Sequence, residues 1–157
     1  MKIKTWQIIA IIICLILGIL LHFTYEWSGG NTVVGIFSAV NESTWEHLKL
    51  TFYPMLLMAM AGYFVIGKKT NNYWVAQATG ILVAIAFIAI FFYAYTGILG
   101  LNSAVFNIGL FVVSVILGEN IIYKILMSQK DYNAESISIV FLILLLLLFI
   151  ISLTGIS

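Results

Sequence analysis

The stretch TNNYWVAQATGILVAIAFIAIFFYAYTGILGLNSAVFNIGLFVVSVILG, residues 70–118, contains no Asp, Glu, Lys or Arg in 49 positions. A helix needs roughly 20 apolar residues to cross about 30 Å of hydrocarbon, so this stretch is long enough for two spans. It breaks naturally at TGILGLNSA, residues 96–104, where glycines favour a turn and Asn102 and Ser103 are candidate N-caps. The stretch therefore predicts two membrane-spanning helices, at about 72–96 and 103–126.

The composition of the whole chain indicates a lipid environment. Of its 157 residues, 63% are apolar and 8% are charged, whereas soluble domains carry roughly 25% charged residues. A soluble fold of this size has too much exterior to hide so much apolar surface. The net charge is +1, with seven lysines and no arginine, which argues against nucleic acid and against an arginine-based phosphate clamp. Cys14 is the only cysteine, so no disulfide can form within the chain.

Three further apolar runs approach or exceed the length of a span, and they predict helices at about 5–25, 44–67 and 136–154. The expected fold class is therefore all-α: a polytopic integral membrane protein with a five-helix transmembrane bundle, forming a single domain over residues 1–157. The segment VVGIFSAV, residues 33–40, is too short to span and predicts a re-entrant or interfacial piece between the first two helices. Lys2 and Lys4 precede an apolar core without an A-x-A cleavage site, which predicts an uncleaved signal anchor.

The lysines orient the predicted helices. With the N-terminus inside, six of the seven fall on the cytoplasmic side, and only Lys49 falls outside. This distribution follows the positive-inside rule. It predicts an N-terminus inside, a C-terminus outside, and an outer location for residues 41–49.

Polar side chains are concentrated in NESTWEHLK, residues 41–49. Its S-T-W-E portion fits a capping box, in which Ser43 accepts a bond from the N3 amide and Glu46 reaches back to the cap amide. Asn41 is a rival cap, and a helix that began there would place Glu42 and Glu46 on one face. The motif predicts that a helix begins at or just before Ser43.

Two further features belong to the same predicted helix. Glu46 and Lys49 are three residues apart and are expected to pair. Pro54 lacks the amide that would bond the Leu50 carbonyl, so a kink is expected there. A kink would let the polar first turns lean over the bundle.

A second polar group lies at the outer end of the first predicted helix. His22 and Glu26 are four residues apart and share a helix face. The first two spanning helices are joined on that side, so these residues lie level with residues 41–49. Asn102 and Asn107, near the start of the 103–126 helix, are placed to complete a cavity.

We expect the two polar groups to form one binding or catalytic site, comprising His22, Glu26, Asn41, Glu42, Glu46 and His47. Glu46 is its expected base or cation ligand, a histidine its proton carrier, and Lys49 its charge partner. Ordinary capping is the alternative, since a carboxylate at a helix N-terminus is stabilised by about 0.3–1 kcal/mol.

A divalent metal is an open alternative as cofactor. Histidine and carboxylate suit zinc, manganese or iron. The donors on offer are His22, Glu26, Glu46 and His47. However, no H-E-x-x-H spacing occurs, and the adjacent Glu46 and His47 point about 100° apart on a helix.

Glu119 lies within an apolar run and raises a different possibility. Ionisable groups at membrane depth are costly and indicate function by default. Lys124 is poorly placed to pair with it, whereas Asn120 and Gln77 lie at comparable depth and are its candidate hydrogen-bond partners. The sequence thus leaves two alternatives open: a small transporter that uses Glu119, and a structural protein whose residues 41–49 dock a membrane-protein partner or a second copy.

The segment SAVNESTWEHLKLTFYPML, residues 38–56, resembles the signature of a family of small bacterial integral membrane proteins of unassigned function. That signature is an N-E-S-x-W-E-H-L-K run after the first helix, followed by an aromatic–proline pair, here Tyr53-Pro54. The resemblance implies a bacterial cytoplasmic membrane and marks the polar cluster as the hallmark of the family. It implies no activity.

Overall fold

The computed structural model describes residues 2–151, and this part of the chain is helical without strands. Six α-helices follow one another: α1 Ile3–Trp27, α2 Thr32–Phe37, α3 Thr44–Val65, α4 Tyr73–Leu99, α5 Ala104–Leu126 and α6 Glu135–Ile151. A single 3-10 turn, Gly67–Lys69, joins α3 to α4.

Four helices, α1, α3, α4 and α5, are long and apolar enough to cross a membrane. Their ends lie within three residues of the predicted ones, which confirms an all-helical, membrane-type architecture. The fifth predicted span, 136–154, corresponds to α6, a shorter apolar helix of 17 residues. Its predicted positions 152–154 lie outside the described residues, so a fifth span stays a prediction.

Helices α4 and α5 form a closely packed hairpin. A Cβ added to Gly80 of α4 would lie 2.7 Å from the carbonyl oxygen of Gly118 on α5, and one added to Gly118 would lie 2.8 Å from that of Gly80. Small residues let helix backbones approach, which membrane helices use in place of hydrophobic association. The predicted break between the two helices lies at Gly100, which is the C-cap of α4 and whose φ of 63° favours glycine.

Helix α3 is the central element of the fold. Residues 48–55 are all buried, so other elements surround this part of α3. The helix continues through Pro54 to Val65, and Pro54 has no amide to bond the Leu50 carbonyl. That carbonyl faces α1, where a Cβ on Gly18 would lie 2.7 Å from its oxygen. The absence of a side chain at Gly18 therefore sets how closely α1 approaches α3.

The apolar segment predicted at 33–40 is the short helix α2 followed by extended residues. Its membrane placement stays a prediction. Asn31 caps α2 by accepting a bond from the Val33 amide at 2.9 Å. Ser38, just after α2, is buried, and its hydroxyl accepts a bond from the Tyr25 amide at 3.0 Å and donates to the Leu21 carbonyl. Ser38 thereby ties the connection to the last turns of α1 and brings the following residues beside them.

Candidate metal centre

The start of α3 is fixed by two side-chain caps. The Ser43 hydroxyl accepts a bond from the Glu46 amide at 3.3 Å, which confirms Ser43 as the N-cap. The predicted return bond from Glu46 is wrong, because the Ser43 amide donates to Oδ1 of Asn41 at 2.9 Å. An Asn side chain two residues before the amide forms such a turn readily. Glu42 therefore lies in a tight turn outside the helix and does not share a helix face with Glu46.

The turn, α1 and α3 bring together three side chains of types that can ligate a metal ion, which we call the metal-centre triad: His22, Glu42 and His47. Nε2 of His47 lies 3.4 Å from Oε2 of Glu42, and Nε2 of His22 lies 4.0 Å from Oε1 of the same carboxylate. The two imidazole rings have centroids 5.3 Å apart. One ligand atom from each residue lies within 4.8 Å of the other two.

A backbone hydrogen bond orients the His47 ring. Nδ1 of His47 lies 2.9 Å from the Ser43 carbonyl oxygen. A carbonyl can only accept, so Nδ1 carries the proton and donates it. The bond fixes the ring orientation so that Nε2 lies toward Glu42, as in metal-binding histidines whose other nitrogen is bonded to a carbonyl.

The donor set fits a transition metal after a small closure. Ligand atoms at about 2.1 Å from a tetrahedral zinc ion lie about 3.4 Å from one another. The three ligand atoms of the triad now lie within 4.8 Å of one another, so they must move closer together to bind zinc. The side chain of Glu42 is 83% exposed and is free to make that movement. Two histidines and one glutamate also leave a further coordination position open, which is the pattern of catalytic zinc sites.

A cavity of about 100 Å³ adjoins the triad between α3, α4 and α5. Glu42 and His47 line one side, and Asn102 and Asn107 line another. Nδ2 of Asn107 donates to Oδ1 of Asn102 at 2.9 Å, and the Tyr95 hydroxyl donates to Asn107. The structure thus places the two asparagines beside the cluster, as expected from their depth, and the remaining wall is mostly apolar.

Glu46 and Lys49 form a buried ion pair, separate from the metal-centre triad. Nζ of Lys49 lies 2.7 Å from Oε2 of Glu46, and both side chains are 0% exposed, which confirms the predicted pairing. The same carboxylate oxygen accepts a bond from the Val40 amide at 3.0 Å, and Nζ also donates to the Gly35 carbonyl at 3.2 Å. The pair therefore fastens the α2 connection onto α3, and Glu46 does not face His22.

Glu26, a further residue of the sequence-based site, is exposed and lies outside the triad. Within residues 41–49, Trp45 is turned into the fold, with its ring centroid 4.9 Å from that of Phe149. Asn41 contributes to the site indirectly, because its side chain accepts the bond that forms the turn holding Glu42.

Glu119 is buried between α5 and α1, and its expected partners are wrong. Nε2 of Gln7 donates to Oε2 of Glu119 at 3.1 Å and to its main-chain oxygen at 3.3 Å. Asn120 instead donates to the Ile116 carbonyl of its own helix at 2.8 Å. Sequence reasoning missed Gln7, although an amide in the first turns of an otherwise apolar helix was a visible signal.

Four apolar helices of membrane length, with a histidine–glutamate cluster where α1 and α3 meet, define a helical membrane-type protein. The chain belongs to the family of unknown function DUF6512, whose family model covers residues 1–154. This match confirms the predicted membership of a family without an assigned function. Searches of curated proteins and of solved structures find no match to the chain.

Proposed function

We propose that this protein binds a divalent transition-metal ion at the outer face of the membrane through His22, Glu42 and His47. The observation that carries the proposal is the convergence of one donor atom from each side chain within 4.8 Å. The bond from His47 Nδ1 to the Ser43 carbonyl supports it, because the other ring nitrogen is then directed toward the carboxylate.

The donor types favour zinc, iron or manganese over calcium and magnesium. Imidazole nitrogen suits the first group, whereas calcium and magnesium prefer shells made of oxygen ligands. A bound ion would have its open coordination position near the cavity lined by Asn102 and Asn107. A small polar ligand or a water molecule could reach the metal there.

The proposed arrangement in the membrane has the N-terminus inside and α6 as a fifth span. The triad lies at the start of α3, whereas Lys68 and Lys69 follow its end. The two lysines and the triad are therefore at opposite ends of a helix of membrane length. The positive-inside rule favours a cytoplasmic location for the two lysines, which supports an outer location for the triad in the proposed bacterial cytoplasmic membrane.

Metal titration of the purified protein tests the proposal. The chain is purified in detergent, stripped with a chelator and titrated with Zn²⁺, with Mg²⁺ as the comparison ion. We expect one Zn²⁺ per chain and much weaker binding of Mg²⁺. His22→Ala and His47→Ala should each weaken Zn²⁺ binding at least about 100-fold, since loss of a second-shell partner alone costs 10–100-fold.

Glu26→Gln is the matched control for Glu42→Gln. Both substitutions remove an exposed carboxylate near the same end of the fold, but only Glu42 belongs to the triad. We expect Glu42→Gln to weaken Zn²⁺ binding and Glu26→Gln to leave it unchanged. Stoichiometric binding that survives in a His22→Ala, His47→Ala double variant would refute the proposal.

Transport is a second candidate function, favoured by the buried carboxylate of Glu119. In that case the chain moves a cation or proton, and Glu119→Gln should abolish its flux in proteoliposomes. Docking of a membrane-protein partner or a second copy on residues 41–49 is supported less well, because Trp45 packs inward against Phe149.

A further inference from the structure

Glu119 and Gln7 form a buried polar pair at the end of the bundle remote from the metal-centre triad. Glu119 is 3% exposed and Gln7 is 5% exposed. Glu119 lies seven residues before the last residue of α5, Leu126, which places it about 10 Å along the helix from that end. The carboxylate therefore lies inside the apolar part of the fold, toward the end of α5 that carries Lys124.

No cation neutralises this carboxylate within residues 2–151. The carboxylates that have a lysine or histidine nitrogen within 4.0 Å in that part of the chain are Glu42, beside the two histidines, and Glu46, beside Lys49. Among the described residues, Glu119 interacts electrostatically with the titratable groups Cys14 of α1 and Tyr73 of α4, and neither can supply a positive charge. The Tyr73 hydroxyl is already engaged, since it donates to the Ala59 carbonyl at 2.7 Å. An unpaired buried carboxylate is costly, and taking up a proton removes that cost.

The amide of Gln7 suits both protonation states of Glu119. Its Nε2 donates to the carboxylate at 3.1 Å, which stabilises the ionised form. Its Oε1 is buried and has no hydrogen-bond partner among the described residues. Rotation of the amide by half a turn exchanges the two atoms, so that Oε1 can accept a bond from a protonated Glu119. One side chain thus offers a donor to the charged acid and an acceptor to the neutral acid.

We propose that Glu119 and Gln7 form a proton-binding site inside the bundle, distinct from the metal-centre triad. The proton adds to a carboxylate oxygen of Glu119, and the resulting hydroxyl donates to Oε1 of Gln7. A metal cation fits less well, because it needs a larger shell of oxygen ligands than these two side chains provide.

Infrared spectroscopy of the purified chain in lipid tests the proton-binding site directly, because it needs no added reagent that would have to diffuse to the buried Glu119. A protonated carboxyl has a carbonyl stretching band that an ionised carboxylate lacks. We expect such a band at neutral pH, its loss as the pH is raised, and its absence in Glu119→Gln. Glu26→Gln removes an exposed carboxylate and should leave the band in place. A wild-type spectrum without the band at neutral pH, or an unchanged band in Glu119→Gln, would overturn the proposal.

Gln7→Leu tests the role assigned to the amide. It removes a hydrogen bond that is stronger to the charged acid than to the neutral one, so the pH at which the band disappears should rise. An unchanged titration in this variant would mean that Gln7 is not part of the site. A second control replaces choline chloride by sodium chloride at constant pH, and we expect the band to stay unchanged. Loss of the band in sodium would show that a metal cation competes for the site, and it would overturn the assignment of the site to a proton.

Discussion

His47 faces Glu42 across 3.4 Å, from Nε2 to Oε2, although the residue next to it in sequence, Glu46, points into the core. The helix start at Ser43 separates these directions, because Glu42 precedes the helix and the other two lie on different faces of its first turn. One short polar segment therefore contributes to two structures: an accessible histidine–carboxylate cluster and a buried ion pair.

The metal-centre triad should bind zinc in a strongly pH-dependent way. The metal needs neutral imidazole, so protons compete with it for His22 and His47. In the acid range where both histidines are protonated in the free protein, apparent Zn²⁺ affinity should fall by about 100-fold per pH unit, which corresponds to two protons released per ion. Titration calorimetry in buffers of different ionisation enthalpy measures that proton release. Affinity that does not change with pH would exclude both histidines as ligands.

The turn at Asn41 should affect zinc binding although Asn41 is not a ligand. Asn41→Ala removes the bond to the Ser43 amide that holds Glu42 in place. Such a cap contributes about 1 kcal/mol, so we expect about fivefold weaker Zn²⁺ binding by titration. Asn31→Ala removes an equivalent cap, to the Val33 amide at the start of α2, and serves as the control. Equal effects of the two substitutions would mean that Asn41 acts only through general stability.

The Glu46–Lys49 pair should be sensitive to the loss of one partner and tolerant of the loss of both. Glu46→Gln leaves the Lys49 ammonium buried without its counterion, which should lower the free energy of unfolding by about 3–5 kcal/mol. The double variant Glu46→Gln, Lys49→Met removes both charges and should recover at least half of that loss. Thermal unfolding in detergent measures both, with Glu26→Gln as the exposed control. A double variant that is less stable than the single one would contradict this account.

The contact between α1 and α3 should not tolerate a methyl group at Gly18. Gly18→Ala would place a Cβ 2.7 Å from the Leu50 carbonyl oxygen and against the Phe111 ring, so the helices must separate. Overpacking of this kind costs about 1–3 kcal/mol. Gly109→Ala is the matched control, because Gly109 lies within α5 with nothing within 4 Å of an added Cβ. Thermal unfolding should show a lower midpoint for Gly18→Ala only, and equal midpoints would contradict the close approach.

Local signals predicted much of the start of α3. The residue type of Ser43 and its spacing to Glu46 predict an N-cap there, with Asn41 as the rival that the structure decides against. The pairing of Glu46 with Lys49 follows from helix geometry alone. The return bond from Glu46 was predicted wrongly because a bond to the Val40 amide and the Lys49 ammonium outcompetes it. Those partners are set by the path of residues 35–40, which no local rule specifies.

The sequence by itself determined that this is an all-helical chain with apolar helices of membrane length, because span length and the lack of charge follow directly from the thickness of hydrocarbon. The sequence also predicted membership of a family without an assigned function, which the family model over residues 1–154 confirms. Only the tertiary structure decided that Glu42, and not Glu26 or Glu46, meets the two histidines, and that Gln7 meets Glu119. His22 and His47 lie on different helices, as do Gln7 and Glu119, and their meeting depends on how closely the helix backbones pack at glycines such as Gly18.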